Sequence, residues 1–173
     1  MTTVLKEVVT LGGLALQMED CLIRAAVWQR GLTGGLAHLE NERHHQFIVW
    51  RAILSRWDAK LERDEASDLI VHCQDGLHHF EMKNWRGATG NPQLPSMQRD
   101  IEKLRRRDRG YLMVTSMNPP EKTDENFKYL VERVIGLDAD TRQEFRFLTE
   151  GVDGRRLDFW IAGWALKREI PVS

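Results

Sequence analysis

The sequence predicts an α/β protein with a central mixed sheet, and three observations lead there. Residues Asp68 to Asn84 read as two strands joined by a tight Asp75-Gly76 turn, Gly being the residue that takes positive φ without steric cost. Helical spacing of apolar residues flanks this hairpin on both sides, over 39–57 and 96–108. An apolar strand, Tyr111 to Ser116, follows the second helix. With 173 residues, 42% of them hydrophobic, the chain is long enough for one well-packed core, so we expect a single domain over 1–173. Within it, 1–36 is expected as an N-terminal arm, 37–117 as the core and 118–173 as a C-terminal helix and hairpin.

Leu14 to Trp28 has helical spacing, with Leu14, Met18, Leu22, Ala25 and Ala26 on one stripe. Gly12-Gly13 before it and Gly31 after it fit helix ends, which gives a helical arm packed on the domain or across a dimer. A short strand over Leu5 to Leu11 is the alternative. Phe47, Trp50, Leu54 and Trp57 then give the 39–57 helix its apolar face. Ala59 to Glu62 is expected as the first core strand. After the hairpin, a polar loop from Asn84 to Pro92 leads to a helix with Ser96 as N-cap and Met97, Ile101 and Leu104 buried. Thr123 to Ile135 reads as an amphipathic helix with Phe127, Leu130, Val131 and Val134 inward. Gln143 to Leu148 and Leu157 to Ala162, on either side of an Asp153-Gly154 turn, make the closing hairpin. Its Trp160 and Trp164 suit a core, a dimer contact or base stacking equally.

The formal charge is −1, low for a chain that binds nucleic acid by neutralising phosphates, so such binding would need a local basic patch. One exists between Gln98 and Gly110, where six basic residues stand against three acidic ones. Cys21 and Cys73 are too few for a disulfide framework, and we expect buried free thiols in a reducing cytoplasm. No apolar run reaches the length of a membrane span, and the N-terminus lacks a secretory pattern, so a cytoplasmic protein without a membrane partner is expected. His38, His44, His45, His72, His78 and His79 show no dedicated zinc spacing and are expected as surface or partly buried polar groups. His72 shares the Asp68 face of its strand and can line a site there.

Side chains alternate along a strand, so Glu81 and Lys83 share one face of the hairpin while Phe80 and Met82 share the other. Asp68 begins the partner strand. Two carboxylates converging on one point make a hard oxygen site suited to Mg²⁺ or Mn²⁺. An amine at its edge can offset charge developing on a phosphate or orient an attacking water.

Asp68, twelve intervening residues, then Glu81-Met82-Lys83 resembles the signature of the PD-(D/E)XK nuclease superfamily, the restriction-endonuclease-like fold, with Ser67-Asp68 standing where that family often has Pro-Asp. The resemblance covers residues 40 to 117. It implies an αβββαβ core, a divalent metal held by Asp68 and Glu81, and a catalytic role for Lys83. The backbone carbonyl of Met82 would be a further oxygen ligand. An acidic residue is also implied on the helix before the first core strand, matched here by Glu42 with Glu40 in reserve. Gln98 matches the Gln or Lys that often accompanies the active site from the helix after the E-x-K strand.

The expected function is therefore Mg²⁺- or Mn²⁺-dependent hydrolysis of phosphodiester bonds in DNA, with Glu42, Asp68, Glu81, Lys83 and Gln98 as catalytic residues. Trp85 and Arg86 would stack on or clamp a strand, while Arg105, Arg106, Arg107 and Arg109 would contact phosphates. Two alternatives stand beside it. One is a nuclease for RNA or single strands using the same metal site. The other is a non-catalytic nuclease-fold domain that binds or scaffolds within a nucleic-acid-processing or defence complex. A homodimer would let two sites act on two strands.

Overall fold

The computed structural model describes residues 3–39, 41–61, 67–85, 94–136 and 142–168. Their elements run α1 (Thr3–Trp28), a 3-10 turn (Leu36–Leu39), α2 (Glu42–Ile53), β1 (Asp58–Leu61), β2 (Leu69–Cys73), β3 (Gly76–Trp85), α3 (Leu94–Arg105), β4 (Gly110–Asn118), α4 (Pro120–Tyr129), continued by a π-helical turn (Leu130–Ile135), β5 (Gln143–Glu150) and β6 (Arg156–Leu166). The six strands form one mixed sheet in the order β1-β2-β3-β4-β6-β5. β1, β2 and β3 are an antiparallel meander, whereas β3 and β4, joined through α3, are parallel. From α2 to β4 the order is α-β-β-β-α-β, and the β5–β6 hairpin extends the sheet beyond β4.

Two apolar layers sandwich this sheet. On one face α1 and α2 cover Leu69, Val71, Phe80, Met82, Tyr111, Met113, Phe159 and Ile161. On the other, α3 and α4 cover Trp85, Leu112, Val114, Trp160 and Trp164. The alternation of β3 follows from this division. Phe80 and Met82 enter the α1–α2 layer, which leaves Glu81, Lys83 and Trp85 on the α3 side.

Several elements depart from expectation. Gly12-Gly13 does not end a helix, and Leu5 to Leu11 is not a strand, because α1 runs unbroken through both. The glycines serve close approach instead: a Cβ at Gly13 would overlap the Phe145 ring of β5, and one at Gly12 would come to 3.0 Å from Val49 Cγ2 of α2. Leu5, Val8, Val9 and Leu16 line the buried stripe of α1, so Leu14, Met18 and Leu22 face outward. Buried Asp20 ties α1 down by accepting from the Leu36 amide at 2.8 Å and from the Thr149 hydroxyl.

α2 is shorter than predicted, with Asn41 capping its first turn through the Arg43 amide. α3 begins at Leu94, so Ser96 lies within its first turn rather than at the N-cap. The tight turn sits one residue earlier than predicted: Cys73 pairs with Gly76, the loop is Gln74-Asp75, and Gly76 opens β3 with φ at 124°. Neither cysteine is a buried thiol, since Cys21 is exposed and Cys73 half-buried. Trp160 and Trp164 are core residues, Trp160 meeting Phe127 edge-on and Trp164 stacked on it. Among the described residues no helix is long and apolar enough to cross a membrane.

Candidate functional site

β2 stops pairing with β3 at Leu69–Phe80, but β3 runs on for five more residues to Trp85. Its vacated edge presents amides that no strand receives, and a backbone N–H left unpaired away from water is costly. Carboxylates take the vacant positions. Asp68 Oδ2 accepts from the Met82 amide at 2.8 Å, and Glu42 Oε2, from the first turn of α2, accepts from the Asn84 amide at 3.1 Å. A strand residue directs its N–H and C=O to the same edge, so the Met82 carbonyl opens toward Asp68 as well.

The α3 side of this edge carries the remaining charges. Lys83 Nζ stands 3.0 Å from Asp100 Oδ2, 3.7 Å from Glu42 Oε1 and 4.0 Å from Asp68 Oδ2. Lys103 Nζ donates to Glu81 Oε1 at 2.6 Å. Four carboxyl groups and two amines thus converge, and full ionisation leaves an excess of two negative charges.

The electrostatics follow from that excess. Burial, reinforced by the charge of Asp68 beside it, pushes Glu81 up to about 7 despite the Lys103 hydrogen bond. Burial likewise raises Glu42, against the opposing pull of Lys83 and the Asn84 amide. For Lys83, burial acts to lower the pKa, but Glu42, Asp68 and Asp100 together outweigh it and hold the amine above its ordinary value. Lys83 is therefore a fixed cation at neutral pH.

Asp68, Glu81, Lys83 and Glu42 meet here, with the Met82 backbone on the same edge. Gln98 is exposed on α3; the α3 residues that reach Lys83 and Glu81 are Asp100 and Lys103. Neither was anticipated. Periodicity places each one position before a buried residue, Ile101 or Leu104, on a flank of the stripe, but only packing turns that flank toward β3.

His72 lies four residues along β2 from Asp68, near the hairpin turn, with Nδ1 4.0 Å from Asp58 Oδ2; it does not line this edge. Trp85 is fully buried under α3, which closes its ring to a nucleic acid. Arg86 and Glu40 lie outside the described residues. Arg106, Arg107 and Arg109 follow the C-terminal end of α3, where Gly110 pairs with His79, so they gather toward the turn end of β3 rather than at Lys83. Arg105 closes the same helix. Arg109 is engaged, its Nε 3.2 Å from Asp75 Oδ2.

A second cluster occupies that turn. The ligand atoms of Cys73, Asp75 and His78 lie within 4.8 Å of one another, a set that can coordinate a metal ion. His78 Nε2 is 3.0 Å from Asp75 Oδ1, and its Nδ1 is 3.0 Å from the Tyr111 hydroxyl. Burial, with Asp75 nearby, pushes the Cys73 thiol up. Comparison with models of known protein families, with curated proteins and with solved structures finds no match to this chain.

Proposed function

We propose that the chain is a metal-dependent phosphodiesterase of PD-(D/E)XK type acting on DNA, with its centre at Asp68, Glu81 and Lys83. The observation that carries this reading is the gathering of Asp68, Glu42 and Asp100 around the Lys83 ammonium, with Glu81 on the same strand face, at the point where β2 leaves β3. The donor set fits the group it would hold. Carboxylate and carbonyl oxygens without sulfur or imidazole suit Mg²⁺ or Mn²⁺, and two excess negative charges match one divalent cation. Asp68, Glu81 and the Met82 carbonyl would hold it. When bound, the cation supplies Lewis acidity toward a phosphoryl oxygen and a lowered pKa for an attacking water.

The chain's own residues define the rest. Lys83, kept protonated by the charge of its three carboxylate neighbours, stabilises negative charge growing on the phosphate rather than abstracting a proton. Glu42 and Asp100 fix the position of its amine from two elements, α2 and α3. Holding the reacting phosphate against a preset charge supplies orientation as well as electrostatics. Lys103, about one-third exposed, is the amine free to swing away from Glu81 when the pair takes up a cation.

One observation favours a second reading. Asp68 and Glu42 already serve as hydrogen-bond partners for the β3 edge, a structural task that a non-catalytic binding or scaffolding domain would equally need. Cleavage separates the two. Linear, circular, single- and double-stranded DNA, with RNA alongside, are incubated with the purified chain in Mg²⁺ or Mn²⁺ and in chelator. We expect metal-dependent cutting of DNA that drops by at least about 100-fold in both Asp68→Asn and Lys83→Ala. Cutting of RNA alone would keep the chemistry and change the substrate. Cutting that survives both substitutions, or none in any condition, would overturn the proposal in favour of the binding domain.

A further inference from the structure

The β2–β3 hairpin carries different donors at its two ends. Asp68 and Glu81, all oxygen, stand at one; Cys73, Asp75 and His78 stand at the other, roughly 10 to 17 Å away at the ~3.3 Å rise of a strand residue. We propose that the turn end is a separate site for a soft or borderline divalent cation, Zn²⁺ by its donor chemistry, bound by Cys73 Sγ, Asp75 Oδ1 and His78 Nε2. This proposal does not rest on the phosphodiesterase reading.

Three features of the hairpin support it. First, the ligands come from one C-x-D-x-x-H stretch whose two-residue loop brings them together, so their proximity is set by local backbone geometry. Thiolate, carboxylate and imidazole together select Zn²⁺ over Mg²⁺, which prefers oxygen alone. Second, His78 is fully buried, and its Nδ1 meets the hydroxyl of buried Tyr111. A proton donated from Nδ1 to that hydroxyl leaves the Nε2 lone pair aimed at Asp75 and Cys73, the tautomer a metal needs. Orientation of a ligand imidazole through its other nitrogen is the usual outer-shell arrangement of zinc sites. Third, Asp75 divides its oxygens: Oδ2 meets Arg109 while Oδ1 faces His78. The guanidinium thereby orients the carboxylate without occupying the ligand oxygen.

Access is open. Cys73 and Asp75 line a cavity of about 650 Å³ together with Glu7, Arg56, Trp57 and His72, so a cation can enter and keep a fourth position for solvent. Three protein ligands with one open position is the pattern of zinc centres that exchange a ligand. The plain competitor is an ion-pair chain, Arg109–Asp75–His78, in which Nε2–H donates to Asp75 and no metal enters.

Cobalt decides between them, since Co²⁺ replaces Zn²⁺ and reports thiolate coordination by a near-ultraviolet charge-transfer band. The reduced, chelator-treated full chain is titrated with Co²⁺ and then with Zn²⁺. We expect one equivalent to produce the band, Zn²⁺ to abolish it, and a large excess of Mg²⁺ to leave it. Cys73→Ser should remove the band and weaken Zn²⁺ binding by about 100-fold or more, while Tyr111→Phe, which keeps the ring, should weaken it by about 10- to 100-fold. Asp68→Asn should leave it unchanged. Because replacing buried His78 could cost the fold, Asp75→Asn at the exposed ligand serves as the second test and should weaken Zn²⁺ as Cys73→Ser does. A wild-type chain that binds no Zn²⁺, or a Cys73→Ser chain that binds it equally well, would reduce the cluster to the ion-pair chain.

Discussion

Replacing Asp68 by Asn keeps an oxygen for the Met82 amide while removing the charge, whereas Asp68→Ala removes both. The two variants should therefore differ in stability. Chemical denaturation without metal should show Asp68→Ala lower than Asp68→Asn by about 1–3 kcal/mol, the cost of an unpaired edge amide. Equal stabilities would mean that the carboxylate does not cap the strand. His45 offers a second test. Burial, with His44 beside it, lowers it from 6.5 to about 4, and its Nδ1 meets Thr115 Oγ1 at 3.0 Å. A histidine buried neutral contributes stability that is complete above pH 6.5 and is lost as pH falls toward 4. The difference between wild type and His45→Gln should shrink by about 3 kcal/mol across that window, measured by urea unfolding at several pH values. A pH-independent difference would mean that folding leaves the proton affinity of His45 unchanged. The pairing of Glu81 with Lys83 was legible in the sequence, because it follows from strand alternation alone. Asp100 and Lys103 were not recognised, because their role depends on which flank of α3 turns toward β3, a fact of packing rather than periodicity.

Among the elements, α1 shows how a local rule gives way to tertiary contact. Gly-Gly ordinarily breaks a helix at a cost of about 1 kcal/mol per Gly relative to Ala, yet here it allows α1 to lie against Val49 and Phe145. Gly13→Ala should gain helix propensity but lose stability overall by about 1–3 kcal/mol, since its methyl would collide with the Phe145 ring. Phe145→Ala in the same chain should relieve that collision, so the double variant should lose less than the sum of the two single losses. Strict additivity in the thermal or urea unfolding of this cycle would contradict the close approach. The outward Leu14–Met18–Leu22 stripe was legible as a stripe but not as exposed, since periodicity defines a face without saying what covers it. The hairpin and the αβββαβ order were readable because turn residues and strand alternation are local signals.

At the scale of the whole molecule, an α/β scaffold holds two chemically different clusters at opposite ends of one hairpin. The near-neutral net charge hides a concentration of acid at the β3 edge and of arginine around the end of α3. The measurement that bears most directly on the carboxylate site is calorimetric titration of Mn²⁺ into wild type and Asp68→Asn, repeated at pH 6 and pH 8. Glu81, raised to about 7, must give up its proton before the pair can take a cation. Wild type should bind one Mn²⁺ at this edge, roughly tenfold more tightly at pH 8 than at pH 6, with a proton released at the lower pH. Asp68→Asn should lose that binding while remaining folded. Binding absent from wild type at both pH values, or unchanged in Asp68→Asn, would mean that the carboxylates only brace a strand edge.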